Sequence, residues 1–249
     1  MSASVDGALR VIGEPTRAAM GERAGGHAAQ VLRDALRTKG RARVMLAAAP
    51  SQAATLATLA AADGIDWSRV DLFHMDEYVG LAPGAPQSFA TWLTDTFVRH
   101  LPGATFHPID PGADAEAEAV RYEALLGSEP FALVLLGLGV NGHLAFNDPP
   151  ADFADPMGVR VVELDEVSRS QQVDEGHFAT FADVPATAIT VTIPRLLNAA
   201  TVLGSVPGSE KRTAVAQTIG EPVGPMYPGT ALRTHPDATL YVDAEADPR

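Results

Sequence analysis

The chain has 249 residues, 46% of them hydrophobic and 20% charged, which supplies enough apolar material for a core and excludes a compositionally disordered polymer. Asp and Glu outnumber Lys and Arg by 31 to 18, a net charge of −13. That balance argues against a non-specific nucleic-acid binder and against a protein held on anionic membrane, since both need basic surface. There is no cysteine, which excludes disulfides, thiolate catalysis and cysteine-ligated metal centres. Met1 to Arg10 carries no apolar core of a secretory signal, and no stretch approaches 18 uninterrupted apolar residues. A soluble, cytoplasmic protein is expected.

Short runs of Val, Ile and Leu alternate with segments of helical spacing. Leu9–Ile12 reads as a strand closed by Gly13-Glu14-Pro15, followed by a helix to about Lys39. Val31, Leu32, Ala35 and Leu36 share one face of it, and Gly40 supplies its stop. Arg43–Ala48 follows as a buried strand, Ser51–Ala62 as an Ala-rich helix and Val70–Met75 as the next strand. Ser88 opens a helix with Phe89, Trp92, Leu93 and Phe97 at i, i+3, i+4 and i+8, and Asp114–Leu126 is another. Phe131–Leu136 is a fully apolar strand. Val159–Leu164, the alternating Ala188–Ile193, a short helix at Leu196-Leu197, strand Thr201–Val206, helix Ser209–Thr218 and strand Thr239–Val242 complete the series. Alternating strands and helices predict an α/β fold, Rossmann-like, with a mostly parallel sheet flanked by helices in three layers. No repeat or linker interrupts it, so residues 1–249 are read as a single domain. The longest irregular stretch, Asn147–Gly158, holds Pro149, Pro150, Pro156 and Gly158 and reads as an active-site loop rather than a boundary.

In such sheets ligands bind beyond the carboxyl ends of the strands. Four segments fall there: Ala47–Gln52, Met75–Gly80, Gly137–Pro150 and Pro207–Lys211. Gly137, Gly139 and Gly142 let backbone approach a ligand and expose N–H groups. Their Gly-x-Gly-x-x-Gly spacing also fits a dinucleotide fingerprint, but it lies mid-chain, and an acidic residue about twenty positions on (Glu163) is easily found by chance. His143 stands just past this turn among polar neighbours Asn141, Asn147 and Asp148, which favours chemistry over packing. Asp76 and Glu77 stand directly after a strand; because strand side chains alternate, one can face a ligand while the other caps or hydrogen-bonds structurally. A carboxylate near a histidine suits general acid–base chemistry, although spacing alone does not show it.

Together, Asp76-Glu77-Tyr78-Val79-Gly80, the Ser88-Phe89 helix start and Gly139-Val140-Asn141-Gly142-His143-Leu144-Ala145-Phe146-Asn147-Asp148-Pro149 resemble the glucosamine-6-phosphate deaminase (isomerase) family, relatives of 6-phosphogluconolactonases. The resemblance extends over roughly residues 8 to 245 and includes Val206–Lys211 and Tyr227–His235. Ala145-Phe146-Asn147, where lactonases usually carry Ala-Ser-Leu-Phe, favours the deaminase branch. The resemblance implies that Asp76 moves a proton between C2 and C1 of the opened sugar, with Glu77 beside it, and that His143 opens the pyranose ring. Proton transfers of this kind need no metal or redox cofactor. The amides of Gly137, Gly139 and Gly142 are candidate donors to the enediol-type intermediate.

Two departures bear on the site. Asp148 replaces the usual Glu, which draws the carboxylate back by about one methylene and predicts an altered or water-bridged partner for His143. Where the family has Thr-Gly-Ser-Thr-Pro for phosphate, this chain has Ala48-Ala49-Pro50-Ser51-Gln52; Pro50 removes one N–H and only Ser51 offers a hydroxyl. Beyond Arg169 the family's phosphate-clamping arginine has no counterpart in Ser170-Gln171-Gln172-Val173-Asp174, while Lys211 matches the phosphate lysine. Ala49, Ser51, Gln52, Glu77, Gly137, Gly139, Gly142 and Lys211 are therefore the candidate substrate contacts, and Asp76, His143, Asn141 and Asp148 the candidate catalytic group. His177 falls in a segment the family uses near substrate and is a candidate stand-in for the missing arginine. His74 and His235 read as packing residues. Val161-Val162-Glu163 after Arg160 speaks against the family's basic allosteric pocket.

The expected function is sugar-phosphate isomerisation and deamination in amino-sugar catabolism. The alternatives are a lactonase-like hydrolase in which His143 activates water, an isomerase of another sugar that need not be phosphorylated, and a non-catalytic sensor. The sensor is least favoured, because Asp76 and His143 are both intact and no DNA-binding segment is present. A small-molecule sugar phosphate is the expected partner, with no nucleic acid or membrane, and a homo-oligomer is possible. Oligomeric state stays open.

Overall fold

The computed structural model describes residues 9–112 and 114–249. The signal-peptide reading of Met1 to Arg10 and the first residues of the 1–249 domain thus fall mostly outside it. Strand β1 (Arg10–Glu14) leads to helix α1 (Arg17–Lys39), whose N-terminus is capped by the Thr16 hydroxyl accepting from the Ala19 amide. Gly40, with φ of 79°, ends it and returns its N–H to Leu36. Met20, Ala24, Ala28, Leu32 and Leu36 are buried at helical spacing. Gly21 and Gly25 permit close packing on α2 (Ala53–Ala60): a Cβ on Gly21 would stand 2.3 Å from Ala54 Cβ, and one on Gly25 2.6 Å from Thr58 Cβ.

The remaining elements are β2 (Ala42–Leu46), β3 (Val70–His74), β4 (Asp76–Tyr78), α3 (Phe89–Thr96), β5 (Thr105–His107), α4 (Ala115–Leu126), β6 (Phe131–Leu136), β7 (Val159–Glu163), α5 (Glu166–Asp174), β8 (Thr187–Val191), α6 (Ile193–Leu196), β9 (Ala199–Val206), α7 (Arg212–Gly220) and β10 (Ala238–Asp243). Seven strands form one parallel sheet in the order β1-β10-β9-β6-β2-β3-β5. Its two faces each meet a core: Val44, Leu46, Leu133 and Leu135 join the cluster with α1 and α2, and Met45, Val134 and Leu136 join the cluster with α4 and α7. The predicted α/β architecture is therefore the one observed, and each central strand reads as a continuous apolar run because both faces are covered. No helix among the described residues is long and apolar enough to cross a membrane.

A second, antiparallel sheet of order β4-β8-β7 sits beside the first. Val159–Leu164 and Ala188–Ile193 were expected as part of the α/β series, and β4 was not foreseen as a strand. Met75 is the pivot: its N–H donates to Leu46 O in the large sheet (3.1 Å), and its carbonyl accepts from Val191 N in the small one (2.8 Å). The chain thus changes sheets immediately before Asp76. Helix α5 and strand β5 also escaped the sequence reading, α5 because its surface is mostly polar and β5 because three residues carry little pattern. The Ser51–Ala62 and Ser209–Thr218 helices each begin as a 3₁₀ turn, at Pro50–Gln52 and Ser209–Lys211. The Asn147–Gly158 stretch holds no helix or strand, as expected.

Candidate active site

The carboxyl ends of β2, β3, β6 and β9 meet α5 around an open cleft. Of the sequence-predicted residues, Asp76, His143, Ala49, Ser51, Gly137, Gly139 and Lys211 line it. Asn141, Asp148, Gln52, Glu77 and Gly142 do not, and each is placed behind the wall for a reason visible in its contacts.

The acidic pair divides as strand alternation requires. Asp76 faces the cleft. Glu77 points away and accepts from the amides of Tyr78 (3.0 Å), Phe89 (3.1 Å) and Ala90 (2.9 Å) and from the Ser88 hydroxyl (2.8 Å). It holds the N-terminus of α3, a carboxylate at the positive end of a helix, so its expected substrate contact is not what the geometry shows. Burial and the neighbouring Glu77 charge push the Asp76 carboxyl well above its ordinary range, and no hydrogen bond offsets them.

His143 also lines the cleft. Its Nδ1 lies 3.0 Å from Asp148 Oδ1 and 2.9 Å from Ser168 Oγ. The expected water-bridged or altered partner is thus replaced by direct contact, since the turn over Gly142 (φ 84°) brings Asp148 back against the ring. Asp148 Oδ1 also accepts from Asn141 Nδ2 (2.9 Å), and Asn141 Oδ1 accepts from the His143 amide (3.0 Å). Burial pushes the Asp148 carboxyl up, but the His143 hydrogen bond and charge, with Ser168 and Asn141, outweigh it and hold it at about 2. With Nδ1–H committed to Asp148, Nε2 is left as the working nitrogen. Asn141 and Asp148 are therefore positioning residues. Ser168, fully buried on α5, belongs with them and was not foreseen.

The glycines act by being small. A Cβ on Gly139 would fall 2.3 to 2.4 Å from Cε1, Cδ2 and Nδ1 of His143, so only glycine admits the ring there. Two of the three amides expected to meet an intermediate are engaged elsewhere: Gly139 N donates to His143 O (3.0 Å) and Gly142 N to Gly139 O (2.9 Å). Gln52 is buried behind Ser51, donating to the Ser51 hydroxyl (3.0 Å) and to Ser205 O (3.0 Å).

At the far end of the cleft Lys211 Nζ lies 3.3 Å from Glu175 Oε1, which also accepts from Gln171 Nε2 (2.6 Å). Glu175 Oε2 faces His177 Nε2 at 3.6 Å. Gln171 Oε1 in turn accepts from Val140 N (3.0 Å), tying α5 to the glycine turn. Burial raises the Glu175 carboxyl, but His177, Lys211 and Gln171 outweigh it and bring it to about 2. Glu175, Gln171 and Gln172 line the cleft and were missed by the sequence reading. Arg169 turns away, donating to the carbonyls of Phe181 (3.0 Å) and Val184 (2.8 Å).

The two histidines read as packing residues lie outside the cleft. His74 is fully buried, its Nε2 accepts from Ile109 N (2.7 Å), and burial pushes it down to about 3. His235 joins Ala199 O (2.9 Å) and Asp237 N (3.0 Å). Among the described residues no group of three or more His, Asp or Glu side chains converges as metal ligands.

Comparison with known proteins agrees with this construction. The family model described as glucosamine-6-phosphate isomerases/6-phosphogluconolactonase matches residues 15–241. A glucosamine-6-phosphate deaminase of Streptococcus pneumoniae serotype 4 is 35% identical over 183 residues, 73% of this chain and 77% of that protein. The structure of a monomeric glucosamine-6-phosphate deaminase superposes with a TM-score of 0.87 at 27% identity, over 96% of this chain and 98% of that one. A 6-phosphogluconolactonase from Shewanella baltica shares the fold, with a TM-score of 0.78 at 18% identity over 94% of this chain and 97% of that one. The chain belongs to the glucosamine-6-phosphate isomerase/6-phosphogluconolactonase family.

Proposed function

We propose that the chain is an amino-sugar isomerase-deaminase of the glucosamine-6-phosphate deaminase type. The observation that carries this reading is the pairing, across one cleft, of an unpartnered carboxylate at Asp76 with an imidazole oriented by Asp148 and Ser168. His143 Nε2 takes the proton of the C1 hydroxyl and passes it to the ring oxygen as the C1–O bond of the ring breaks, leaving an aldehyde at C1. The C2 hydrogen is then acidic. Asp76, as carboxylate, takes it, and the electron pair forms the C1–C2 double bond of an enediol-type intermediate. The Asp76 carboxyl, whose proton exchanges in part with solvent, then protonates C1, giving an iminium at C2 that water converts to the ketone with loss of ammonia. A base raised above the usual carboxylate range accepts a carbon-bound proton more readily than an ordinary aspartate.

Asp76 favours this reading over a lactone hydrolase, which needs an activated water and no base at C2. The test is exchange of the C2 hydrogen in deuterium oxide, followed by magnetic resonance, together with ammonia release from glucosamine and its 6-phosphate. Asp76→Asn is expected to abolish both signals. Undiminished exchange in that variant would sink the assignment.

A further inference from the structure

The far end of the cleft is the part the proton chemistry does not use. Lys211 is the lysine that matches the family's phosphate contact, and only 5% of its surface is exposed. Its ammonium is already paired with Glu175, which Gln171 and His177 hold from two other sides. No arginine lines the cleft among the described residues. Pro50 lacks an N–H, and Ser51 is the one hydroxyl on its loop. A phosphate dianion placed against Lys211 would therefore meet a carboxylate in the position where a guanidinium would be needed. Sugar hydroxyls face no such conflict. Each needs an acceptor and a donor, and a carboxylate flanked by an ammonium, an amide and an imidazole provides both.

Resting on the amino-sugar reading above, we propose that Glu175 sets the substrate class: the distal subsite takes the free hydroxyl end of an unphosphorylated amino sugar and rejects a 6-phosphate. Glu175 is a specificity residue here, touching the substrate's far end while Asp76 and His143 act at C1 and C2.

Binding of unreactive open-chain analogues separates this from the chemistry. Calorimetry on the full chain would compare 2-amino-2-deoxyglucitol with its 6-phosphate, for the native protein and for Glu175→Gln. The native protein is expected to bind the unphosphorylated analogue at least tenfold more tightly. Glu175→Gln is expected to strengthen binding of the 6-phosphate at least tenfold, because it removes the opposing charge while keeping the side chain's shape. Tighter binding of the 6-phosphate by the native protein would overturn the proposal, as would failure of both analogues to bind. The native comparison decides the matter even if the variant does not fold. If the unphosphorylated analogue binds as expected but C2 exchange is absent, the proton-transfer reading falls and the subsite assignment stands.

Discussion

Replacing Gly139 by alanine is the sharpest steric test of the site. The added Cβ would lie 2.3 Å from His143 Cε1, against 3.4 Å for ordinary contact, so either the ring or the turn must move by about 1 Å. The ring is not free to yield, because Nδ1 is held at 3.0 Å by Asp148 and at 2.9 Å by Ser168. The turn is held too, by the Gly139 amide on His143 O and its carbonyl under Gly142 N. A catalytic group displaced by about 1 Å costs roughly 10²-fold in rate, or about 2.7 kcal/mol of transition-state stabilisation. Overpacking adds a folding penalty of about 1–3 kcal/mol. The assay is kcat/KM for C2 exchange beside the midpoint of urea unfolding. Gly26→Ala serves as control, since Gly26 on α1 has nothing within 4 Å of its added Cβ and is expected to gain about 0.5–1 kcal/mol in stability. If Gly139→Ala keeps kcat/KM within threefold of the native value, the close fit of ring and turn has no catalytic meaning.

Three further perturbations test the supporting residues. Asp148 sits near 2 in the folded state against 3.8 unfolded, so its stabilisation is present above pH 3.8 and lost as pH falls through 2. That amounts to about 2 kcal/mol; Asp148→Asn should flatten this part of the stability–pH profile and lower kcat/KM, and an unchanged profile counts against the ion pair. Glu77 raises Asp76 by charge, so Glu77→Gln should move the acidic limb of the pH–rate profile to lower pH while costing about 1–2 kcal/mol at the α3 cap; a limb that stays put removes Glu77 from the electrostatics of Asp76. Arg43 and Arg195 both donate to Leu126 O and Glu129 O, and Nε and Nη1 of Arg195 are buried without partners. Arg195→Met should therefore leave unfolding free energy within about 1 kcal/mol of native or raise it, and a loss above about 3 kcal/mol in denaturant titration would refute that accounting.

What the sequence made legible follows from where the physical signal is local. Phe131–Leu136 forms the strand expected residue for residue, since both faces of a central parallel strand are buried and every position must be apolar. Ser88 and Asp114 cap the helices they were read as opening, because capping is a contact three residues long. The change of sheet at Met75 carries no glycine or proline, and the three residues of β4 are too few to show a strand pattern of their own. Glu77 was placed on the substrate because the alternation rule says only that the two carboxylates part, not which helix end awaits the second. Glu175 escaped because its meaning depends on Lys211, 36 positions away in sequence. The glycine amides were expected to face a ligand, but the carbonyl partners of Gly139 and Gly142 lie within the same turn and could not be assigned from spacing.

The two ends of the cleft rest on different supports, and this explains how one can depart from its relatives while the other is kept. Asp76 follows the Met75 pivot shared by both sheets, and His143 is clasped by Gly139, Asp148 and Ser168; moving either disturbs the core. Glu175 and His177 lie just beyond the last residue of α5, and their side chains reach the cleft from its rim, 26% and 19% exposed. A substitution there alters charge without repacking anything. On the reading proposed above, the charge opposite Lys211 selects which sugar end is accepted while the proton path is left intact. The unphosphorylated amino sugar proposed above would carry a cationic ammonium and no phosphate, and a net charge of −13 attracts such a cation rather than repelling it.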